Sequence, residues 1–124
     1  MKADGLEPFC PYYHHAVELI GRRWTGAILR AMLVGVSRFG ELAETIPGLS
    51  SRMLSERLKE LEAEGVVVRS VIPTVPVRVE YQLTEKGRSL GSVIEAVSGW
   101  AEQWADPTAE GATVSTSAPS EVES

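Results

Sequence analysis

Three shortages in this sequence each remove a class of function. Cysteine occurs once, as Cys10, so no disulfide can form within the chain, and a reducing compartment, the cytoplasm, is expected. Histidine occurs twice, as the neighbours His14 and His15. Adjacent residues of a helix point about 100° apart and cannot share one ion, and protein metal sites use three or four ligands. No metal and no cofactor is expected. Long apolar runs are missing: the longest, residues 27–36, is interrupted by Arg30 and falls well short of the ~20 residues a bilayer demands. The opening Met1-Lys2-Ala3-Asp4-Gly5 lacks the basic-then-apolar build of a secretory signal, so no membrane partner is expected either. The chain carries no nucleophile–base pair and no phosphate-cradling glycine loop, which argues against an enzyme.

What is present suits one soluble domain. The chain has 124 residues, 44% of them hydrophobic and 23% charged, enough for a single modest core. The net charge of −5 speaks against a nucleic-acid partner until its distribution is followed. Residues 22–88 hold eleven basic and eight acidic side chains, a net of +3, whereas the rest of the chain carries −8. Phosphate binding depends on a local basic face rather than on the total charge, so DNA stays open.

The apolar periodicity changes once along the chain. Tyr13, Ala16, Val17 and Ile20 fall at helical spacing, and Gly21 ends that helix. A second helix from about Trp24 to Leu33 is apolar over most of its surface, as central helices are. After Gly35, Ser37 is placed to cap a third helix carrying Phe39, Leu42, Ala43 and Ile46. Pro47-Gly48 forces a tight turn, and Ser50 is the natural cap of a fourth helix with Leu54, Leu58 and Leu61 on its inner face. A short helix, a turn and a longer helix form a helix-turn-helix. The period then shortens to two: residues 66–71 are rich in valine, and Val77, Val79, Tyr81 and Leu83 alternate with polar residues around Pro73 and Pro76. This predicts a two-stranded wing with a proline-bracketed tip. Thr84 can cap a last helix to about Trp104, in which Gly87, Gly91 and Gly99 suggest close approach by another backbone, that of a second subunit included. The predicted fold is α+β, a winged helix-turn-helix in the order α-α-α-α-β-β-α. Residues 1–9 are expected to be a flexible arm, 10–105 the domain, and 106–124 a disordered tail.

The fourth helix is the candidate reader of DNA. Opposite its leucines stand Arg52, Ser55, Glu56 and Lys59, and Ser50 and Ser51 open it. Arg52 can bond guanine O6 and N7 together, the serines can serve either partner, and Glu56 can accept from cytosine N4. Lys59 suits a phosphate, and free N–H groups at the helix start favour one too. Any surface helix has a polar face; the surrounding turn, short helix and hairpin make this one specific. Arg38, at the start of the third helix, and Thr74 and Arg78, in the wing, are candidates to grip the backbone on either side. An exposed arginine paired with a carboxylate is the alternative for Arg38 and Arg78.

The segments Cys10-Pro11, Gly21-Arg22-Arg23-Trp24-Thr25, Arg38-Phe39-Gly40-Glu41-Leu42, Pro47-Gly48-Leu49-Ser50, Arg52-Met53-Leu54-Ser55 and Leu58-Lys59-Glu60-Leu61-Glu62 resemble the HxlR-type winged-helix regulators of bacteria. The likeness continues through Val75-Pro76-Val77-Arg78-Val79-Glu80-Tyr81 and Leu83-Thr84 and covers residues 10–104. It implies a homodimer through the first and last helices, for which Tyr13, Val17, Val93, Val97, Trp100 and Trp104 are the candidate contacts, on a pseudo-palindromic operator in double-stranded DNA. It further implies that some relatives sense thiol-reactive or carbonyl compounds through a cysteine placed like Cys10. Cys10 is thus a candidate thiol sensor beside a helix start, whose dipole favours an anion; an inert cysteine packed against Phe9 and Tyr13 is the alternative. The expected function is a sequence-specific transcriptional regulator, a repressor answering a small molecule or oxidant, with a winged-helix protein-interaction module as the rival.

Overall fold

The computed structural model describes residues 5–105. Within them the chain runs α1 (Pro11–Ile20), α2 (Thr25–Leu33), α3 (Phe39–Thr45), α4 (Ser51–Ala63), β1 (Val67–Ile72), β2 (Arg78–Leu83), α5 (Glu85–Arg88) and α6 (Gly91–Trp104). This is the α+β winged helix-turn-helix expected from the periodicity, with one more helical segment. The tail predicted for 106–124 and the first four residues of the predicted arm lie outside the described residues.

The nearly all-apolar α2 is the central helix. It touches α1, α3, α6 and β2, and its Ile28 and Leu29 are completely enclosed. Leu42 of α3, Leu54, Leu58 and Leu61 of α4, and Val66 and Val67 at the wing base close around them. Burial of each such side chain contributes roughly 1.5–3 kcal/mol. The leucine stripe therefore anchors α4 by its inner side.

Trp24, just before α2, sits in the left-handed region at φ 80°, which costs a residue with a side chain roughly 1–2 kcal/mol. Packing offsets that strain. The Arg23 guanidinium lies 4.9 Å from the Trp24 ring centroid. The edge of the ring also comes to 3.4 Å, ordinary van der Waals contact, from where a Cβ on Gly48 would stand. Gly48 itself has φ +84°, so the Pro47-Gly48 turn needs glycine for its conformation.

The wing is an antiparallel pair running from Val67 opposite Leu83 to Ile72 opposite Arg78. On its far side β2 meets the segment before α3: the Tyr81 amide donates to the Ser37 carbonyl at 2.8 Å, and Arg38 bridges to Glu80. Among the described residues β1 pairs on one side only. Here the expected Ser37 cap is corrected. Arg38 occupies the N-cap position of α3 in an extended conformation and makes no side-chain cap bond; its backbone is used in an isolated bridge to Glu80 of β2.

The last helix is likewise two pieces rather than one. Thr84 does cap, its Oγ accepting from the Gly87 amide at 3.1 Å. Past Arg88 the winding tightens, with the Leu90 amide donating to the Gly87 carbonyl at 3.0 Å, before α6 begins. The glycine at 87 has a reason inside the subunit, since a Cβ there would lie 2.2 Å from the Val66 carbonyl oxygen. The approaching backbone is the chain's own wing base. At Gly91 the nearest group is a Leu33 methyl, and around Gly99 there is open space.

Candidate nucleic-acid interface

The turn Ile46–Ser50 delivers α4 to the surface. The Ser50 hydroxyl accepts from the Met53 amide at 3.1 Å, the predicted cap, worth about 1 kcal/mol. With Leu54, Leu58 and Leu61 locked inside, the opposite face carries Ser51, Arg52, Glu56 and Lys59 in the open, and Ser55 half-buried at its edge. Arg52 is extended into solvent, and its Nε donates to Glu56 Oε2 at 3.4 Å across one helical turn. The two candidate base-reading side chains thus hold each other in the free protein.

Beside this face lies a groove of about 1000 Å³ between α3, α4 and the wing, lined by Arg38, Lys59, Arg69 and Arg78 together with Glu41, Glu44 and Glu62. The two flanking arginines meet at one acid. Glu80 Oε2 is 3.3 Å from Arg78 Nη2 and 3.9 Å from Arg38 Nε. Thr74 is exposed, but its hydroxyl turns back onto the Pro76 carbonyl at 2.7 Å, holding the wing tip in shape.

A family model described as HxlR-like helix-turn-helix matches residues 19–109. The chain is 50% identical to the uncharacterized HTH-type transcriptional regulator YvaP of Bacillus subtilis over 80% of its length and 92% of that protein's. It is 47% identical to the HTH-type transcriptional regulator YodB of the same organism, over 79% and 88% of the two chains. The chain belongs to the HxlR-like helix-turn-helix family. It is a DNA-binding transcriptional regulator of the winged helix-turn-helix type. Among solved structures, reduced YodB superposes with a TM-score of 0.70 at 46% identity, covering 82% of this chain and 99% of that one. Quinone-bound YodB gives 0.67 at 44% identity, over 77% and 100%. The redox regulator HypR in its oxidized form gives 0.72 at 39% identity, over 78% and 99%.

A second surface of this HxlR-like chain is apolar. Neither α1 nor α6 contributes a buried residue. Tyr13, Val17, Val93, Val97, Trp100 and Trp104 are all exposed, the two tryptophans by about two thirds of their area. Cys10 precedes α1 as its N-cap residue, half-buried. It borders a hollow of about 590 Å³ lined by residues 5–10 with Tyr13 and His14. Phe9 is mostly exposed and Cys10 half-buried within the single chain. His14 and His15 separate as predicted: the His14 ring lies 5.4 Å from Phe9, and His15 Nε2 bonds Glu64 at 3.0 Å.

Two residues of this region escaped the sequence reading. Arg57 is buried on the leucine side of α4, donating to the Arg23 carbonyl at 2.9 Å and to Glu60 at 3.0 Å. It pins α4 to the joint before α2. Its signal was its position three residues after Leu54, inside the apolar stripe. Glu80 was visible as the next residue on the Arg78 face of β2, since residues two apart in a strand share a side. Nothing in the sequence brought Arg38 to it.

Proposed function

We propose that the protein acts in the cytoplasm as a homodimer that occupies a pseudo-palindromic operator and represses transcription, with release by a thiol-reactive compound. The polar face of α4 carries this function: Ser51, Arg52, Glu56 and Lys59 stand clear of the subunit while three leucines fix the helix beneath them. Placed in a major groove, Arg52 and Glu56 exchange their mutual bond for base edges, and Ser50, Ser51 and Ser55 meet bases or phosphate at the helix start. Lys59, Arg38, Thr74 and Arg78 reach backbone phosphates on the two flanks. Exposed apolar surface on α1 and α6 supports dimerisation through these helices, because a face of two tryptophans and several aliphatics is stabilised by mutual burial. The dimer sets the two α4 helices about one DNA turn, roughly 34 Å, apart.

The effector side follows from Cys10. It opens the helix that carries half of the dimer surface, and it borders a hollow able to admit a small electrophile. YodB is described in a quinone-bound form and HypR in an oxidized form, chemistry suited to a thiol. Titration of the protein with mixed duplex DNA at several salt concentrations tests the DNA-binding function: affinity should fall steeply as counterions are released. A flat response would point to a protein-interaction module instead. For the effector, Cys10→Ser should abolish oxidant-induced loss of DNA binding, and an unchanged response would remove Cys10 from the mechanism.

A further inference from the structure

The groove beside α4 poses an electrostatic question. Four basic side chains face three acids along its lining, so the overall field there is weak, and phosphate attraction has to come from where the charges stand. Yet a further acid, Glu80, lies against the two arginines on its flanks. Its side chain is only 16% exposed, while those of Arg38 and Arg78 are about half exposed. A single oxygen, Oε2, faces both guanidinium groups, at 3.3 Å from Arg78 and 3.9 Å from Arg38. The backbone enforces the meeting, because Arg38, just before α3, and Glu80 are partners in an isolated antiparallel bridge. The remaining Nε of Arg78 is enclosed and has no acceptor among the described residues, so Glu80 is the acid that holds this arginine.

We propose that Glu80 is a positioning residue that fuses Arg38 and Arg78 into one preformed phosphate clamp. Two guanidinium groups on one face repel each other and sample many rotamers, and both effects oppose phosphate binding. A nearly enclosed carboxylate between them sets their separation and leaves their outer N–H groups free for a phosphate oxygen. The role rests on the DNA-binding function proposed above. It also sets two effects of opposite sign against each other. As a charge, Glu80 repels DNA; as a positioner, it helps DNA bind.

Two variants separate the effects with mixed-sequence duplex DNA, which reads the phosphate contribution alone. Glu80→Gln removes the charge, and Glu80→Asp keeps it but shortens the reach. A positioning role predicts that both bind more weakly, Glu80→Gln by about tenfold, with a shallower dependence on salt and with thermal unfolding close to that of the wild type. The loss should shrink when Arg78 is already alanine. A charge-only role predicts tighter binding by Glu80→Gln and no change for Glu80→Asp; either result overturns the clamp. If Glu80→Gln melts early, Glu80→Asp decides alone. Wild-type protein that ignores duplex DNA at every salt concentration sinks the DNA-binding function and the clamp with it. Wild-type binding that neither variant weakens sinks the clamp only.

Discussion

Helices α4 and α6 are nearly equal in length and both amphipathic, yet they end in opposite environments. In α4 the apolar side is used up inside the subunit: Leu54, Leu58 and Leu61 are completely enclosed, and only polar groups are left for a partner. In α6 no residue is buried, and Val97, Trp100 and Trp104 face outward. A helix whose apolar side is satisfied within the fold can present charge and hydrogen bonds to DNA. One whose apolar side is left over offers that side for burial against another chain, as proposed for the dimer. The contrast is what supports the proposal of α4 for reading and of α6, with α1, for assembly.

The largest effect should come from spoiling the leftover side. Val97→Glu together with Trp100→Glu should give a single-chain mass in sedimentation. It should also weaken operator binding by about a hundredfold or more, because the second half-site is no longer tethered to the first. An unchanged mass would break the contrast at its root. Next in size, Leu58→Ala should lower unfolding free energy by roughly 2–5 kcal/mol in denaturant melts. Val97→Ala should act instead by weakening the dimer, so that sedimentation needs a higher protein concentration to reach the two-chain mass and the melting temperature gains less from added protein. Smallest, Arg52→Ala should reduce discrimination at one base step by about 1–3 kcal/mol on a panel of single-site operator variants, whereas Lys59→Ala should weaken all of them alike.

Local signals made much of this legible from the sequence. The Ser50 cap, the leucine spacing and the Pro47-Gly48 turn fixed α4 because each acts within one or two helical turns. The alternation from Val77 to Leu83 fixed β2 for the same reason. The misreadings share a different cause. Ser37 has the chemistry of a cap, but its carbonyl is claimed by Tyr81, far along the chain. The last helix has continuous helical periodicity, but Gly87 is pressed against Val66, and the winding tightens there. The clamp at Glu80 and the pin at Arg57 are also long-range: each depends on a partner delivered by another element. Pattern along the chain predicts which side a residue takes, while the identity of its neighbour comes only with the fold.

The one-sided pairing of β1 has a consequence for handling the protein. Its outer rim offers a row of open amide and carbonyl groups next to the exposed Val68 and Val71, the kind of edge on which strands of other molecules accrete. Three features blunt it: the cation of Arg69, a length of six residues, and Pro73 just beyond the end. Replacing Arg69 by an aliphatic residue would strip the rim of its guard, leaving a chain that still folds but precipitates as it is concentrated.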